Sequence, residues 1–526
     1  MIALYDTTLR DGEQREGVNL TVEDKLRIAA RLDALGIAYI EGGFPASNPT
    51  DSAFYQQMTA LEPKLEQATI SAFGTTLRKG AIPEEDEGLR ALATCPAPVV
   101  TLVGKAWELQ ASEALGASGD ENLRMVELSV RYLVQANKRV FFDAEHFFDG
   151  YKDNSDYALA SLLAAGRAGA EVLVLCDTNG GSLPHEVYEI TASTLEALKR
   201  AGIGVAVGIH AHDDSGCAVA NSLEAVLAGA TQVQGTINGF GERVGNANLL
   251  TIIANMKLKM GLDVVSAEQL AQLTSTAHLV AETFNVALDA HLPYVGQSAF
   301  SHKGGIHASA TLRHRHSYEH IDPATVGNFA HIVISELAGK ASLVAKGREM
   351  GLDFPDDEQR VQSLLDTIKL RESKGYSYEV ADASFALLLR AQMGEMVTCF
   401  TLESFRVIAE KREDGRVMSE ATIKLMVGGK RHVATGEGNG PVNALDAALR
   451  LAIQRFYPQV ESFELTDYKV RVLDESIGTG AVTRVLIETS DGQSSWGTVG
   501  VSDNIIEASW DALVDAITYG LLLAGR

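Results

Sequence analysis

The chain has 526 residues, 46% apolar and 22% charged, the composition of a soluble globular protein long enough for more than one domain. Its formal net charge of −24 argues against a nucleic-acid groove or an anionic membrane surface as the main partner, although local cations can still hold an anionic substrate. Cys95, Cys176, Cys217 and Cys399 fit neither a zinc ribbon nor a disulfide framework, no apolar run is long enough to span a membrane, and the sequence enters a strand with no leader, so a reduced, cytoplasmic setting is expected.

Through the first half, short apolar runs alternate with helical patterns. The runs are IALYD (2–6), AYIEGG (38–43), TISAF (69–73), VVTLV (99–103), RVFFDA (139–144), VLVLCD (172–177), VAVGIH (205–210) and QVQGTI (232–237). VEDKLRIAARLDALG reads as a helix with Thr21 as N-cap and Gly36 as its stop. Eight strand–helix units predict a (β/α)8 TIM barrel, preferred to an open doubly wound sheet because polar segments follow nearly every strand and the count is eight. Those segments are TTLRDG, EGGFPASNP, AEHFFDG, DTNGG, HAHDD and NGFGERVGNAN. Only barrel closure gathers them at one face, where such barrels keep their active sites.

The expected division is a catalytic barrel over 1–270, helical linker subdomains over 271–395 and a C-terminal α/β regulatory domain over 396–526. The last part repeats itself at an offset of 64: GEGNGPVNALDAALRLAI (436–453) aligns with GVSDNIIEASWDALVDAI (500–517), pairing Gly436 with Gly500 and Ala448 with Ala512. Each helix follows a hairpin signal, GG or DG, which predicts two β-β-α units. A loop-rich interface between them could hold a small effector.

His210 and His212 lie two apart at the end of the seventh strand, so an extended backbone points both rings to one face. At a barrel mouth they can share one divalent cation. Asp11 ends the first strand, and closure can bring its carboxylate to the same ion; Asn246, after the eighth, could add an amide oxygen. Four ligands leave positions open, which suggests catalysis. A 2-oxo acid can fill two of them, and Arg10 can add positive charge where a ketone becomes an alkoxide. Asp6 and Glu41 also sit at strand ends, as supports for Arg10 or the ligands or as a polar pair of the core.

LRDGEQREGVNLTVEDK, ending at Lys25, and HAHDDSGCAVANS resemble the metal-dependent enzymes that condense an acyl-CoA with a 2-oxo acid: the α-isopropylmalate, citramalate and homocitrate synthases. The resemblance covers the whole chain. It implies a Claisen-type condensation in which the acetyl-CoA methyl loses a proton, the enolate attacks a ketone and the thioester is hydrolysed. It assigns Asp11, His210, His212 and Asn246 to the metal, Arg10 to the substrate, Glu145 to the active-site glutamate, Thr178 to the substrate carboxylate, and His307 and Tyr318 to acid–base roles on a linker that reaches a neighbouring subunit, hence a homodimer. The metal is left as Zn, Mn or Mg, and sequence does not decide which group takes the methyl proton.

YIEGGFPASNPTD (39–51) and FFDAEHFFDGYKDN (141–154) resemble the citramalate branch, with Asp143 where the isopropylmalate enzymes carry a small residue and Phe44 where many of this branch carry Trp. That implies pyruvate as acceptor, (R)-citramalate as product and isoleucine as effector. The alternative is 2-oxoisovalerate as acceptor and leucine as effector. A 3-hydroxy-acyl-CoA lyase on the same barrel should lack the KGGIHAS linker and the C-terminal repeat, and a non-catalytic amino-acid sensor should have lost parts of the constellation.

Overall fold

The structure is a computed structural model and describes residues 2–46, 48–59, 64–302, 310, 314–332, 343, 347, 358–378, 381–395, 397–411, 413, 415–473 and 481–525. The chain forms two compact units, one of residues 1–300 with 321–329 and one of residues 301–320 with 330–526.

The first unit is a closed barrel of eight parallel strands in sequential order: β1 Ala3–Asp6, β2 Tyr39–Glu41, β3 Thr69–Thr75, β4 Val99–Lys105, β5 Arg139–Glu145, β6 Val172–Asp177, β7 Ala206–Ala211 and β8 Gln232–Gly235. β8 closes on β1 with Leu4 opposite Val233 and Tyr5 opposite Gln234. Helices separate the strands. In α1 (Val22–Leu35) Thr21 and Asp24 form a capping box, and Gly36 ends the helix in the left-handed conformation at φ 91°, the stop the sequence predicts. β3, β4 and β5 each run to position 75, 105 or 145, two, two and one residues past their apolar runs, because β pairing continues into polar positions at the barrel mouth.

Period-2 alternation splits the barrel interior into layers. Tyr5, Val99, Phe141, Val172, Val174 and Cys176 pack as one buried cluster, with Tyr39 edge-on to Phe141 at a centroid distance of 5.0 Å. Further along the same strands the inward positions turn polar: Glu41, Ser71, Thr101, Asp143, Gln232 and Gln234 are all buried. Tyr5 joins the layers, its hydroxyl donating to Glu41 Oε2 at 2.6 Å and lying 2.5 Å from Thr101 Oγ1.

In the second unit, a two-residue parallel pair, β9 Ser301–His302 and β10 His331–Ile332, precedes two three-stranded antiparallel sheets. One holds β11 Thr401–Lys411, β12 Val417–Val427 and β13 Lys430–Gly438, followed by the helix Pro441–Ile453; the other holds β14 Glu464–Val472, β15 Thr483–Ser490 and β16 Ser495–Ser502, followed by the helix Ile505–Ala524. The repeat expected as β-β-α therefore carries one more strand at the start of each unit. β11 and β14 are exposed or half-buried along their whole length, so they lack the apolar–polar alternation that marks β12 and β15.

The repeated glycines have one physical cause. A Cβ on Gly436 would lie 2.4 Å from Ala448 N and 2.9 Å from Ala444 O, and one on Gly500 would lie 3.0 Å from Ala512 N and 1.9 Å from Ala508 O. At the same offset of 64, each sheet meets the backbone of its own helix where only glycine fits. The two helices and both sheets share one apolar core that includes Ile423, Leu445, Leu449, Val485, Trp496 and Leu513.

Candidate active site

β1 ends at Asp6 and the chain turns at once. The backbone N–H groups of Arg10, Asp11 and Gly12 all donate to Thr7 O, and Asp6 accepts from the Thr8 amide and hydroxyl. This turn places Arg10 and Asp11 over the mouth. β7 delivers His210 and His212 with one residue between them, as the alternation predicts. The three predicted ligands meet: Asp11 Oδ2 lies 3.2 Å from His210 Nε2 and 4.0 Å from His212 Nε2, and the two Nε2 atoms are 3.4 Å apart. All three residues are buried.

Two imidazole nitrogens and a carboxylate oxygen facing one point suit a divalent cation, which all three can ligate at once. Among the described residues this is the group of three whose ligand atoms all lie within 4.8 Å of one another. Asn246 is bridged to His212 through the backbone. Its Nδ2 donates to Phe240 O at 3.2 Å, while its buried Oδ1 has no hydrogen-bond partner among the described residues. A buried amide oxygen without a donor costs about 1–3 kcal/mol unless something electropositive faces it. The donor set of two imidazole nitrogens and one carboxylate oxygen fits a divalent ion.

Charge is arranged to match. Burial alone would raise the Asp11 pKa, but Arg10 and His210 outweigh it and hold the carboxyl well below the usual carboxylate range. Burial, with His210 beside it, lowers His212 to about 4, so its ring stays neutral and able to ligate. Arg10 makes two ion pairs, to Asp11 (Nη1–Oδ2, 3.2 Å) and to Glu41 (Nε–Oε1, 2.5 Å), and its guanidinium carbon sits 3.9 Å from the Phe73 ring centroid. Glu41 thus acts in support of Arg10, which sequence had left open against a plain core polar pair. Burial, then the charge of Glu41, raises Asp143 to about 7.

Glu145 ends β5 and pairs with Lys105 at the end of β4. Thr178 follows β6, and its Oγ1 accepts from the backbone N–H of His146 at 2.8 Å, leaving the hydroxyl hydrogen for another acceptor. His146 holds the left-handed conformation at φ 57°. Arg243, from the loop after β8, donates to Thr178 O at 2.9 Å and grips Asp214 with two bonds of 2.7 and 2.8 Å. Tyr318 belongs to the second unit, exposed, with its ring 6.4 Å from that of His302. His307 lies outside the described residues.

Three supports escaped the sequence reading. Lys25, the last residue of the first motif, is fully buried; its Nζ donates to Leu9 O at 2.9 Å and Gly42 O at 3.3 Å and pairs with Asp51 and with Glu13 (2.7 Å). Asp51, the last residue of the GGFPASNPTD stretch, also accepts from the Phe44 N–H at 2.8 Å. A Cβ on Gly43, which sits at φ 119°, would fall 2.2 Å from Asp51 Oδ2, so this approach needs glycine. Gln234, inward on β8, meets His210. The signal for it was present: a glutamine on the inward face of a strand has to find polar company.

Residues 1–280 match the family model described as HMGL-like, 294–375 match homocitrate synthase post-HMGL domain-like, and 379–521 match the LeuA allosteric (dimerisation) domain. A protein of Aquifex aeolicus named (R)-citramalate synthase is 51% identical, over 99% of this chain and 98% of that one. One of the same name from Sulfolobus acidocaldarius is 43% identical, over 99% and 97%. A probable 2-isopropylmalate synthase of Methanopyrus kandleri is 31% identical, over 98% and 97%. With both ends of the similarity reaching nearly the full chain, and with the higher identities on one side of that division, the chain belongs to the HMGL-like family, in its (R)-citramalate synthase branch.

Proposed function

We propose that the chain condenses acetyl-CoA with pyruvate and hydrolyses the thioester, releasing (R)-citramalate and CoA and so feeding isoleucine biosynthesis. The observation that carries this is identity of 43–51% over nearly the whole chain to relatives named for that reaction, together with the Asp11, His210 and His212 cluster at the barrel mouth. The 2-oxoisovalerate alternative rests on relatives near 30%.

Asp11, His210, His212 and Asn246 are the proposed ligands of a divalent Zn, Mn or Mg ion. When bound, such an ion polarises the ketone of the 2-oxo acid as a Lewis acid. Arg10, fixed by Asp11, Glu41 and Phe73, presents a guanidinium to the ketone oxygen as it gains charge. Thr178 has a hydroxyl hydrogen to give to the substrate carboxylate. Glu145, held by Lys105, is placed to order water or a proton. His307 and Tyr318 are proposed for proton transfer from the linker.

We assign the barrel to 1–270, the linker to 271–395 and the regulatory domain, with isoleucine as effector, to 396–526. A homodimer is supported by the match to the dimerisation domain and by exposed Ile408, Val417, Val433, Val470 and Val472 on the C-terminal sheets. Among the described residues no helix is long and apolar enough to cross a membrane, in keeping with a cytoplasmic enzyme. The test is CoA release from acetyl-CoA with pyruvate, 2-oxoisovalerate or 2-oxoglutarate, each with Mg, Mn or Zn. Strong preference for pyruvate is expected; preference for 2-oxoisovalerate would move the enzyme to leucine synthesis.

A further inference from the structure

His210 and His212 present their Nε2 atoms to the same point, yet their far sides differ. His210 Nδ1 lies 2.9 Å from Gln234 Oε1, whereas the buried Nδ1 of His212 makes no hydrogen bond among the described residues. Gln234 is itself fully buried and is held from behind: its Nε2 donates to Asp143 Oδ1 at 3.1 Å and reaches Gln232 Oε1 at 3.4 Å. The amide is thereby oriented. With its N–H hydrogens turned to a carboxylate and a carbonyl oxygen, the oxygen is the end left for His210.

An imidazole that offers the Nε2 lone pair must carry its proton on Nδ1. Only an acceptor can face that Nδ1–H, and Gln234 Oε1 is such an acceptor. We infer that Gln234, aimed by Asp143, is a positioning residue that fixes His210 in the tautomer able to bind a divalent cation and locks its ring plane. Among the described residues nothing equivalent holds His212, so His210 is the preorganised ligand of the pair and His212 the adaptable one. The acceptor opposite a ligating histidine typically changes metal affinity about 10–100-fold when removed.

This inference rests on the proposed metal site, and the test separates the two. Zn2+ affinity of the metal-stripped full chain is measured by competition with a chromophoric chelator, with circular dichroism to verify folding. Gln234→Met keeps the side-chain length and removes the acceptor; it should weaken Zn2+ binding about 10–100-fold. Gln234→Glu combined with Asp143→Asn exchanges the two groups, so that a carboxylate still accepts from Nδ1 and an amide N–H from position 143 still holds it; this double variant should bind Zn2+ within about threefold of the unaltered chain, or more tightly, since a carboxylate in this place raises ligand basicity. If Gln234→Met binds as the unaltered chain does, or if the double variant loses more than about tenfold, the acceptor role is wrong. The double variant keeps the question answerable should Gln234→Met not fold. An unaltered chain that takes up no Zn2+, Mn2+ or Mg2+ would overturn the metal site itself, and this inference with it.

Discussion

Lys25 offers the sharpest test of how the site is held. Its ammonium is fully removed from solvent and contacts two carboxylates and two carbonyls. Desolvating such an ion costs several kcal/mol, offset here by four oxygens, and taking the ion away leaves the partners stranded. In Lys25→Met, Asp51 stays buried with the Phe44 N–H as its remaining hydrogen-bond donor, so the expected loss is about 3–5 kcal/mol for breaking one side of a buried pair. A urea titration followed by circular dichroism should show the barrel transition moving down by roughly 1 M or more. Lys25→Met with Asp51→Leu removes the cation and its more buried carboxylate, leaving only the partly exposed Glu13, and should recover part of that loss. Activity should fall in both, because the Leu9 carbonyl next to Arg10 and the Gly42 carbonyl next to Glu41, the partner of Arg10, lose their common anchor, and a misplacement of about 1 Å costs about 100-fold in rate. If the single variant shifts the midpoint by less than about 0.2 M, or the double is no better than the single, the buried cation is not what ties the two loops together.

Other consequences are as direct. Asp11→Ala should abolish CoA release and weaken metal uptake while the circular dichroism spectrum stays that of the folded chain; full activity with metal present would remove Asp11 from the ligand set. Glu41→Gln keeps shape but drops the charge that fixes Arg10, and kcat should fall about tenfold or more with the Arg10 ion pair to Asp11 intact; an unchanged kcat would return Glu41 to a purely structural role. In the second unit, Asp515 is half-buried beside Ser384, whose hydroxyl donates to it at 2.6 Å, and desolvation, with Asp511 nearby and against the pull of Ser384 and Arg371, raises it from 3.8 to about 6. Below pH 4 both folded and unfolded chains hold that proton; as pH rises the unfolded chain releases it first, so stability falls between about pH 4 and 6 by up to about 3 kcal/mol and is level above. Asp515→Asn lacks that loss, and its advantage over the unaltered chain in thermal unfolding should grow from pH 4 to 7; a constant difference would refute it.

The barrel was legible because its signals are repetitive. Eight apolar runs, each followed by polar residues, have few arrangements that bury the runs and gather the polar ends. The third strand of each C-terminal unit was not legible, because β11 and β14 have no fully buried position, only half-buried ones such as Phe405, Val407 and Tyr468, and periodicity reports burial. The glycine match at offset 64 was visible, but its cause, a strand pressed onto a helix backbone at Gly436 and Gly500, needed coordinates.

The site divides along a similar line. Arg10, Asp11, His210 and His212 could be named because their chemistry is particular and strand alternation fixes where two of them point. Lys25, Asp51 and Gln234 act through other residues, and for the first two nothing in their own types says so: a lysine in a helix reads as solvated, and an aspartate after SNP reads as a cap. What they share is burial of a polar group at a place where the fold offers it one set of partners. Lys25 spans Leu9, Gly42 and Asp51, segments 16, 17 and 26 residues away, and Gln234 spans 24 residues to His210 and 91 to Asp143. Contacts at such separations exist only once strands pair and helices pack on them. The cluster at the barrel mouth can therefore be read from sequence, while the residues that hold it in place are set by tertiary packing. Those same supports are where substitutions remote from the reacting atoms should alter metal affinity and rate without touching substrate.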